Sequence, residues 1–152
     1  MGLAMCAAPP LVKTMQGIKG NIWTFHPANW IVIPTNGSIK KDGCAVMGRG
    51  LALDASRRYP LFPQQLGQVL KQVGNHNAVW AAFKIITFPV KHEWHEEADI
   101  TLIEESMKNL ITVPFGDIYM PRVGCGNGRL KWEDVKPIIE QYVDDRFIIV
   151  HP

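Results

Sequence analysis

The chain has 152 residues, 47% hydrophobic and 20% charged, with a formal net charge of +2. That is one domain with a real core and too little chain for two, and so mild a charge neither demands nor excludes a nucleic-acid partner. Its three cysteines, Cys6, Cys44 and Cys125, are odd in number and in no CxxC spacing, which argues against a disulfide frame or zinc site and for free thiols in a reducing, cytoplasmic setting.

The opening MGLAMCAAPP has no basic n-region and is too short to span a bilayer, so no membrane association is expected. Residues 1–15 read as a flexible leader or a remnant of expression, ahead of a single domain over residues 16–152. Gly17 to Phe25 holds Ile18, Ile22, Trp23 and Phe25 around Gly20 and Asn21, which predicts a first strand with a turn or bulge, ended by His26 and Pro27. Trp30 to Ile33 predicts a buried strand that stops at Pro34, with Asn36 just past it. Gly37, Gly43, Gly48 and Gly50 punctuate the loop that follows. From Gly50 onward, Leu51, Ala52, Ala55 and Tyr59 share one helical face while Asp54, Arg57 and Arg58 face elsewhere. The loop therefore delivers backbone N–H groups and the positive end of a helix, an arrangement suited to phosphate; a solvated loop with glycines for its turns fits equally well.

A second helix is predicted from about Pro63, with Leu66, Val69, Leu70 and Val73 at helical spacing and Gly74 and Asn75 as its stop. Two strands follow, Val79 to Phe83 and Ile85 to Phe88, with Pro89 near the close of the second and Lys91 just beyond. The loop KHEWHEE, residues 91–97, leads to a helix that places Ile100, Ile103, Met107 and Leu110 on one face, capped by Asp99 or Thr101. Ile118 to Met120 is a short strand closed by Pro121. The stretch RVGCGNGR, residues 122–129, is a second glycine-rich loop, and it opens a helix striped by Val135, Ile138, Ile139, Tyr142 and Val143. Arg146 to Val150 is the last strand.

Strands alternating with helices imply a three-layer α/β/α sandwich around a mixed, mostly parallel sheet. Right-handed crossovers bring the loops after Pro34, Val90 and Pro121 to one edge of that sheet, so Asn36, Lys91 and both glycine loops become neighbours at a common crevice. Two phosphate-friendly loops there suggest a diphosphate or nucleotide ligand.

The segments IVIPTNG, AVMGRGLA, ITFPVK and MPRVGCGNGRLKWEDVKPIIE resemble, in this order over residues 16–150, the macro domain family of ADP-ribose-binding modules. The GCGNG loop between PR and LKWEDV is the most specific of them. The resemblance is closest to the branch of the terminal ADP-ribose protein glycohydrolase and the DNA ADP-ribosyl glycohydrolase antitoxins. It implies a cleft for ADP-ribose, with Asn36 on the distal ribose and Val123, Gly124, Cys125, Gly126, Asn127 and Gly128 around the diphosphate and that ribose. Met47, Gly48 and Gly50 would complete the opposite wall, Asn21 would stand at the adenine, and Ile22 and Thr35 are further ligand-binding residues that the resemblance implies. Lys91 falls where the branch carries its catalytic lysine, an amine that could attack or stabilise the anomeric carbon of the distal ribose.

The sequence departs from the pattern at two of these places. Asn21 stands where many macro domains have an aspartate for the adenine amino group, although its side-chain oxygen can still accept. Gly128 stands where the terminal glycohydrolase has a catalytic aspartate. The loop between Asn36 and Met47 is also longer than in the antitoxin branch, so Lys40 and Lys41 have no counterpart.

Other residues invite competing readings. His92 and His95 with Glu93, Glu96 and Glu97 fit no closed zinc pattern and read as a charged loop at a cleft mouth, so no metal and no cofactor is expected. Cys125 has no base placed beside it and is assigned to packing and loop shape. Trp23, Trp30, Trp80 and Trp132 read as core, whereas Trp94 in its charged loop could cover a bound nucleotide. Lys40, Lys41, Arg49, Arg57 and Arg58 make a basic rim or a solvated face. The resemblance thus implies an ADP-ribosyl glycohydrolase acting on an ADP-ribosylated protein or DNA, expected to be a monomer. A reader that binds ADP-ribose without turnover and a phosphatase for ADP-ribose 1''-phosphate remain as alternatives.

Overall fold

The computed structural model describes residues 15–152. The expected leader lies outside them except for Met15, which packs against the core. In chain order the elements are β1 (Gln16–Lys19), a 3-10 turn (Ile22–Phe25), β2 (Trp30–Asn36), α1 (Gly50–Arg58), α2 (Phe62–Val73), β3 (Val79–Trp80), β4 (Ile85–Lys91), α3 (Ile100–Leu110), β5 (Ile118–Pro121), α4 (Trp132–Glu140) and β6 (Phe147–His151). The six strands form one sheet in the order β1-β6-β5-β2-β4-β3, parallel except for β3 against β4.

The two-residue alternation of the strands builds a core on each face of this sheet. Val32, Ile86, Phe88, Ile118 and Met120 point to one side, where Ile103, Met107 and Leu110 of α3 and Val135 and Ile139 of α4 cover them. Ile31, Ile33, Ile85 and Val150 point to the other, beneath Ala55 of α1, Phe62, Leu66 and Leu70 of α2, and Ile22 and Trp23. The expected three-layer sandwich with a mostly parallel sheet is what results. Asp99 caps α3, its carboxylate accepting from the Thr101 N–H at 2.9 Å.

Four local expectations are corrected. Ile22 to Phe25 is a 3-10 turn rather than strand, because the Asn21 side chain accepts from the Trp23 N–H at 3.0 Å and turns the chain so that Ile22 and Trp23 enter the core. Strand β2 runs through Pro34 to Asn36: its pairing with β5 ends at Ile31, so the missing proline N–H breaks no ladder on that side. The strand expected over Val79 to Phe83 stops at Trp80. Lys84, at φ 51, turns the chain there, and the Phe83 ring stacks on Tyr59 at 4.2 Å instead of extending the sheet. Val73 ends α2 exposed, one turn beyond where the core reaches.

Candidate active site

Strands β2, β4 and β5 end side by side, and a cleft of about 1320 Å³ opens over their carboxyl ends. The pairing of β2 with β4 shifts register between Thr35 and Asn36, so Thr35 lies opposite Pro89 but Asn36 lies opposite Lys91. A bulge at a strand end re-aims side chains. Here it sets the two residues expected to carry chemistry directly across from each other, in hydrogen-bonded strands. Asn36 is therefore no hairpin corner despite its Asn-Gly dipeptide.

Asn36 holds its own loop. Its amide nitrogen donates to the Val46 carbonyl at 3.1 Å and its oxygen accepts from the Ser38 N–H at 2.9 Å. An asparagine side chain has capacity for four such bonds, so one N–H and one lone pair stay free for a ligand. Farther on, Ile39 bridges to Ala45, and the Ala45 N–H donates to the Pro63 carbonyl at 2.8 Å. The loop that looked long in sequence is thus a small hairpin lying on α2. Gly67 makes that possible: a Cβ there would sit 1.9 Å from the Gly43 oxygen.

The Lys91 ammonium donates to the Trp94 carbonyl at 3.2 Å, and the Asn75 amide holds the Lys91 carbonyl at 2.9 Å. Ser38, buried and unnoticed in the sequence, ties this loop to β2: its hydroxyl donates to Glu93 at 2.9 Å and accepts from the Trp94 N–H at 2.9 Å. Burial lowers the Lys91 pKa below the ordinary lysine value, and the charges of Arg129 and Arg49 lower it further. The lysine is biased toward the neutral amine that a nucleophile must be.

The loop after β5 is shaped by absent side chains. Gly124 has φ 76, and a Cβ there would meet Ile103 at 2.7 Å; at Gly128 it would meet the Gly124 oxygen at 2.5 Å and Ala98 at 2.8 Å. No aspartate fits at 128, so Lys91 has no carboxylate partner from that position. The N–H groups of Gly126, Asn127 and Gly128 have no protein acceptor among the described residues and are available to an anion. Opposite them the first turn of α1 presents Arg49, Gly50, Leu51 and Ala52 to the cleft.

Asn21, Ile22, Thr35, Asn36, Met47, Gly48, Gly50, Lys91, Gly124, Cys125, Gly126, Asn127 and Gly128 all line this cleft. Val123 does not: its side chain is fully buried in the core beneath the loop, as an apolar residue between Arg122 and Gly124 could have suggested. Cys125 donates to the Val123 carbonyl at 3.4 Å and burial raises its pKa, both against a nucleophilic role. Asp54, expected to face away, lines the cleft beside Asn21 and accepts from the Trp23 indole N–H at 3.4 Å. It is the one acidic side chain among the described lining residues, against the cations Lys40, Arg49, Lys91 and Arg122. Trp132, expected in the core, also reaches the cleft, with Arg122 5.4 Å over its ring. Lys41 and Arg57 lie away from it, and Arg58 covers the Trp23 ring at 4.2 Å. His92 pairs with Asp99 at 2.8 Å, and the described residues hold no group of three or more His, Cys, Asp or Glu that could bind a metal. No described helix is long and apolar enough to cross a membrane.

No protein-family model matches the chain. The DNA ADP-ribosyl glycohydrolase of Mycobacterium tuberculosis is 31% identical over 127 residues, covering 74% of this chain and 36% of that protein. The chain spans about a third of the length of the curated relatives it first matches. The ADP-ribose glycohydrolase OARD1 of Bos taurus is 29% identical over 103 residues, covering 62% of this chain and 65% of that one. Among solved structures, the macrodomain of Mycobacterium tuberculosis DarG aligns with a TM-score of 0.71 at 25% identity, over 91% of this chain and 99% of that chain.

Proposed function

We propose that this chain, a macro domain of the DarG branch, binds ADP-ribose in the cleft over β2, β4 and β5 and hydrolyses ADP-ribosyl adducts at the distal ribose. The observation that carries the reading is Lys91, an amine of lowered pKa opposite Asn36, at a cleft where the Gly126, Asn127 and Gly128 N–H groups have no protein acceptor among the described residues. The diphosphate lies between the Gly126–Gly128 loop and the start of α1, where fixed N–H dipoles meet its charge without reorganising. Asn36 turns its remaining N–H and lone pair to the distal ribose. Adenine lies at the Asn21 end. There the Asn21 oxygen already serves the Trp23 N–H, so Asp54 offers the stronger acceptor for an exocyclic amine.

In the reaction the neutral Lys91 nitrogen attacks the anomeric carbon, and the bond from that carbon to the adduct breaks. The proton lost by the lysine nitrogen goes to the leaving atom. Water then attacks the same carbon, releasing ADP-ribose and restoring the free amine. The adduct is assigned to DNA, supported by the relatives that bear that activity in their name. The protein acts as a monomer in the cytoplasm.

One observation favours a non-catalytic reader instead: among the described residues no carboxylate pairs with Lys91. Lys91→Ala separates the two. It should lower turnover of an ADP-ribosylated oligonucleotide on the order of a hundredfold or more and leave ADP-ribose affinity within about twofold. Wild-type protein that binds ADP-ribose and releases none from the oligonucleotide is a reader.

A further inference from the structure

Strand β3 spans two residues, and it pairs with β4 only at Ile85 and Ile86. The last residues of β4 therefore have no strand on that side, and their carbonyls need other donors. Side chains supply them. The Ser106 hydroxyl of α3 donates to the Pro89 carbonyl at 2.7 Å, and the Asn75 amide donates to the Lys91 carbonyl at 2.9 Å.

Asn75 is delivered there by the end of α2. Gly74, at φ 85, closes that helix with its N–H on the Leu70 carbonyl at 3.0 Å, and the chain turns at once into Asn75. Its amide lies against Gly37, where a Cβ would sit 3.0 Å from the Asn75 nitrogen and 2.7 Å from the His92 carbonyl oxygen. The Gly37 N–H in turn donates to that His92 carbonyl at 3.1 Å. Lys91 is thus held by β2 through its register with Asn36, by Asn75 at its own carbonyl, and by the Trp94 carbonyl at its ammonium. Asn75 itself is not among the residues lining the cleft. Because a carbonyl accepts only from a donor, the Asn75 oxygen must turn away from Lys91, and it is buried with no protein partner among the described residues. One neutral hydrogen bond made and one buried oxygen left unpaired nearly cancel in folding, so stability alone does not account for an asparagine here.

We propose that Asn75 is the positioning residue for Lys91: by holding the carbonyl at the end of β4 it fixes the peptide from which the amine is aimed at the anomeric carbon. It acts through Lys91 and touches no substrate. The inference rests on the glycohydrolase reading for the step that Lys91 performs. Without this bond the peptide between Lys91 and His92 can rotate, and the lysine stem swings toward solvent. Part of the burial that lowers the Lys91 pKa is then lost. The charges that face it, Arg49 at the start of α1 and Arg129 after β5, stay in place, and Glu93 of its own loop stays on the Ser38 hydroxyl.

The test compares Asn75→Leu and Asn75→Ala with Asn77→Leu. Leucine nearly keeps the volume of asparagine, so a void does not decide the result, and the alanine variant serves if the leucine one fails to fold. Asn77 is the control: its amide donates to the Ser106 carbonyl at 3.1 Å and its oxygen is likewise buried without a protein partner, but it makes no bond to Lys91. Each variant is measured at a temperature where circular dichroism shows it folded. The readouts are single turnover of an ADP-ribosylated oligonucleotide, calorimetric titration with ADP-ribose, and labelling of Lys91 by an amine-acylating reagent across pH, read by mass spectrometry. Both Asn75 variants should lower the single-turnover rate about tenfold, leave ADP-ribose affinity within about twofold, and move the Lys91 labelling profile to higher pH. Asn77→Leu should change neither rate nor profile. An Asn75→Leu protein with the wild-type rate and labelling profile overturns the proposal, and so does an Asn77→Leu protein with the same losses, which would make Asn75 one more staple of the sheet edge. Labelling needs no turnover: if wild-type protein releases no ADP-ribose while the Asn75 variants still shift the profile, the hydrolysis reading falls and the hold on Lys91 stands.

Discussion

The two glycine-rich loops that face each other across the cleft are held in opposite ways. The loop after β2 is held by hydrogen bonds: the Asn36 side chain spans it, the Ser38 hydroxyl ties it to the Trp94 loop, and the Ala45 N–H bonds to the Pro63 carbonyl of α2. The loop after β5 is held by absent side chains, with Gly124 and Gly128 closed against Ile103, Ala98 and each other. The first should lose stability when atoms are removed, and the second when atoms are added. The difference also explains why the first tolerates a longer excursion: a hairpin pinned at a few points can grow between them.

The strongest way to break this comparison is Gly128→Ala. Its Cβ meets backbone at one side and Ala98 at the other, so we expect a loss of about 3 kcal/mol in urea unfolding and of ADP-ribose binding with it. A wild-type midpoint would show that the loop yields. Asn36→Ala comes next, at about 2 kcal/mol, because the half-buried Val46 carbonyl and the N–H of buried Ser38 both lose their partner. Asn36→Asp keeps the acceptor for Ser38 but sets a carboxylate against the Val46 carbonyl and the ligand diphosphate. ADP-ribose affinity should fall, and an unchanged affinity in calorimetry would remove Asn36 from the site.

Lys91 lies between the loops and reports on their charges. Turnover should rise with pH as its amine loses a proton, and Arg129→Gly, by removing one of the charges that depress it, should move that rise to higher pH. The sign for stability follows from the same shift. Between the lowered folded pKa and the ordinary lysine value the unfolded chain binds more protons, so Lys91 makes stability increase with pH across that window. The smallest expected change in folding is Gly48→Ala, where a Cβ meets nothing within 4 Å: the midpoint should move by less than about 0.5 kcal/mol while ADP-ribose affinity drops, since the space it fills is ligand space.

Much of this was legible in the sequence because it rests on periodicity. The apolar runs of β2 and β4 and the stripes of α3 and α4 give the layers, and parallel strands then force their end-loops together. What escaped depends on partners far along the chain. Pro34 looked like a strand stop, and only the short overlap of β2 with β5 shows why it is not. Asp54 looked outward because Ala55 sets the inward face of α1, yet the cleft runs along the flank of the first turn. The register shift that aligns Asn36 with Lys91, the positive φ at Arg129 and the burial of Ser38 have no local signature at all.

Gly67 carries a consequence for how such a chain can vary. A glycine in mid-helix costs roughly 1 kcal/mol against alanine. It is tolerated here because the hairpin backbone rests where a methyl group would be. Helix residue and hairpin length are therefore a single heritable unit. Alanine at 67 with the present hairpin forces the two apart, and a shortened hairpin with glycine retained leaves a bare groove in α2. Only the paired change recovers the helix, so a change in the reach of Lys40 over the cleft is written in part into a helix that never touches the ligand.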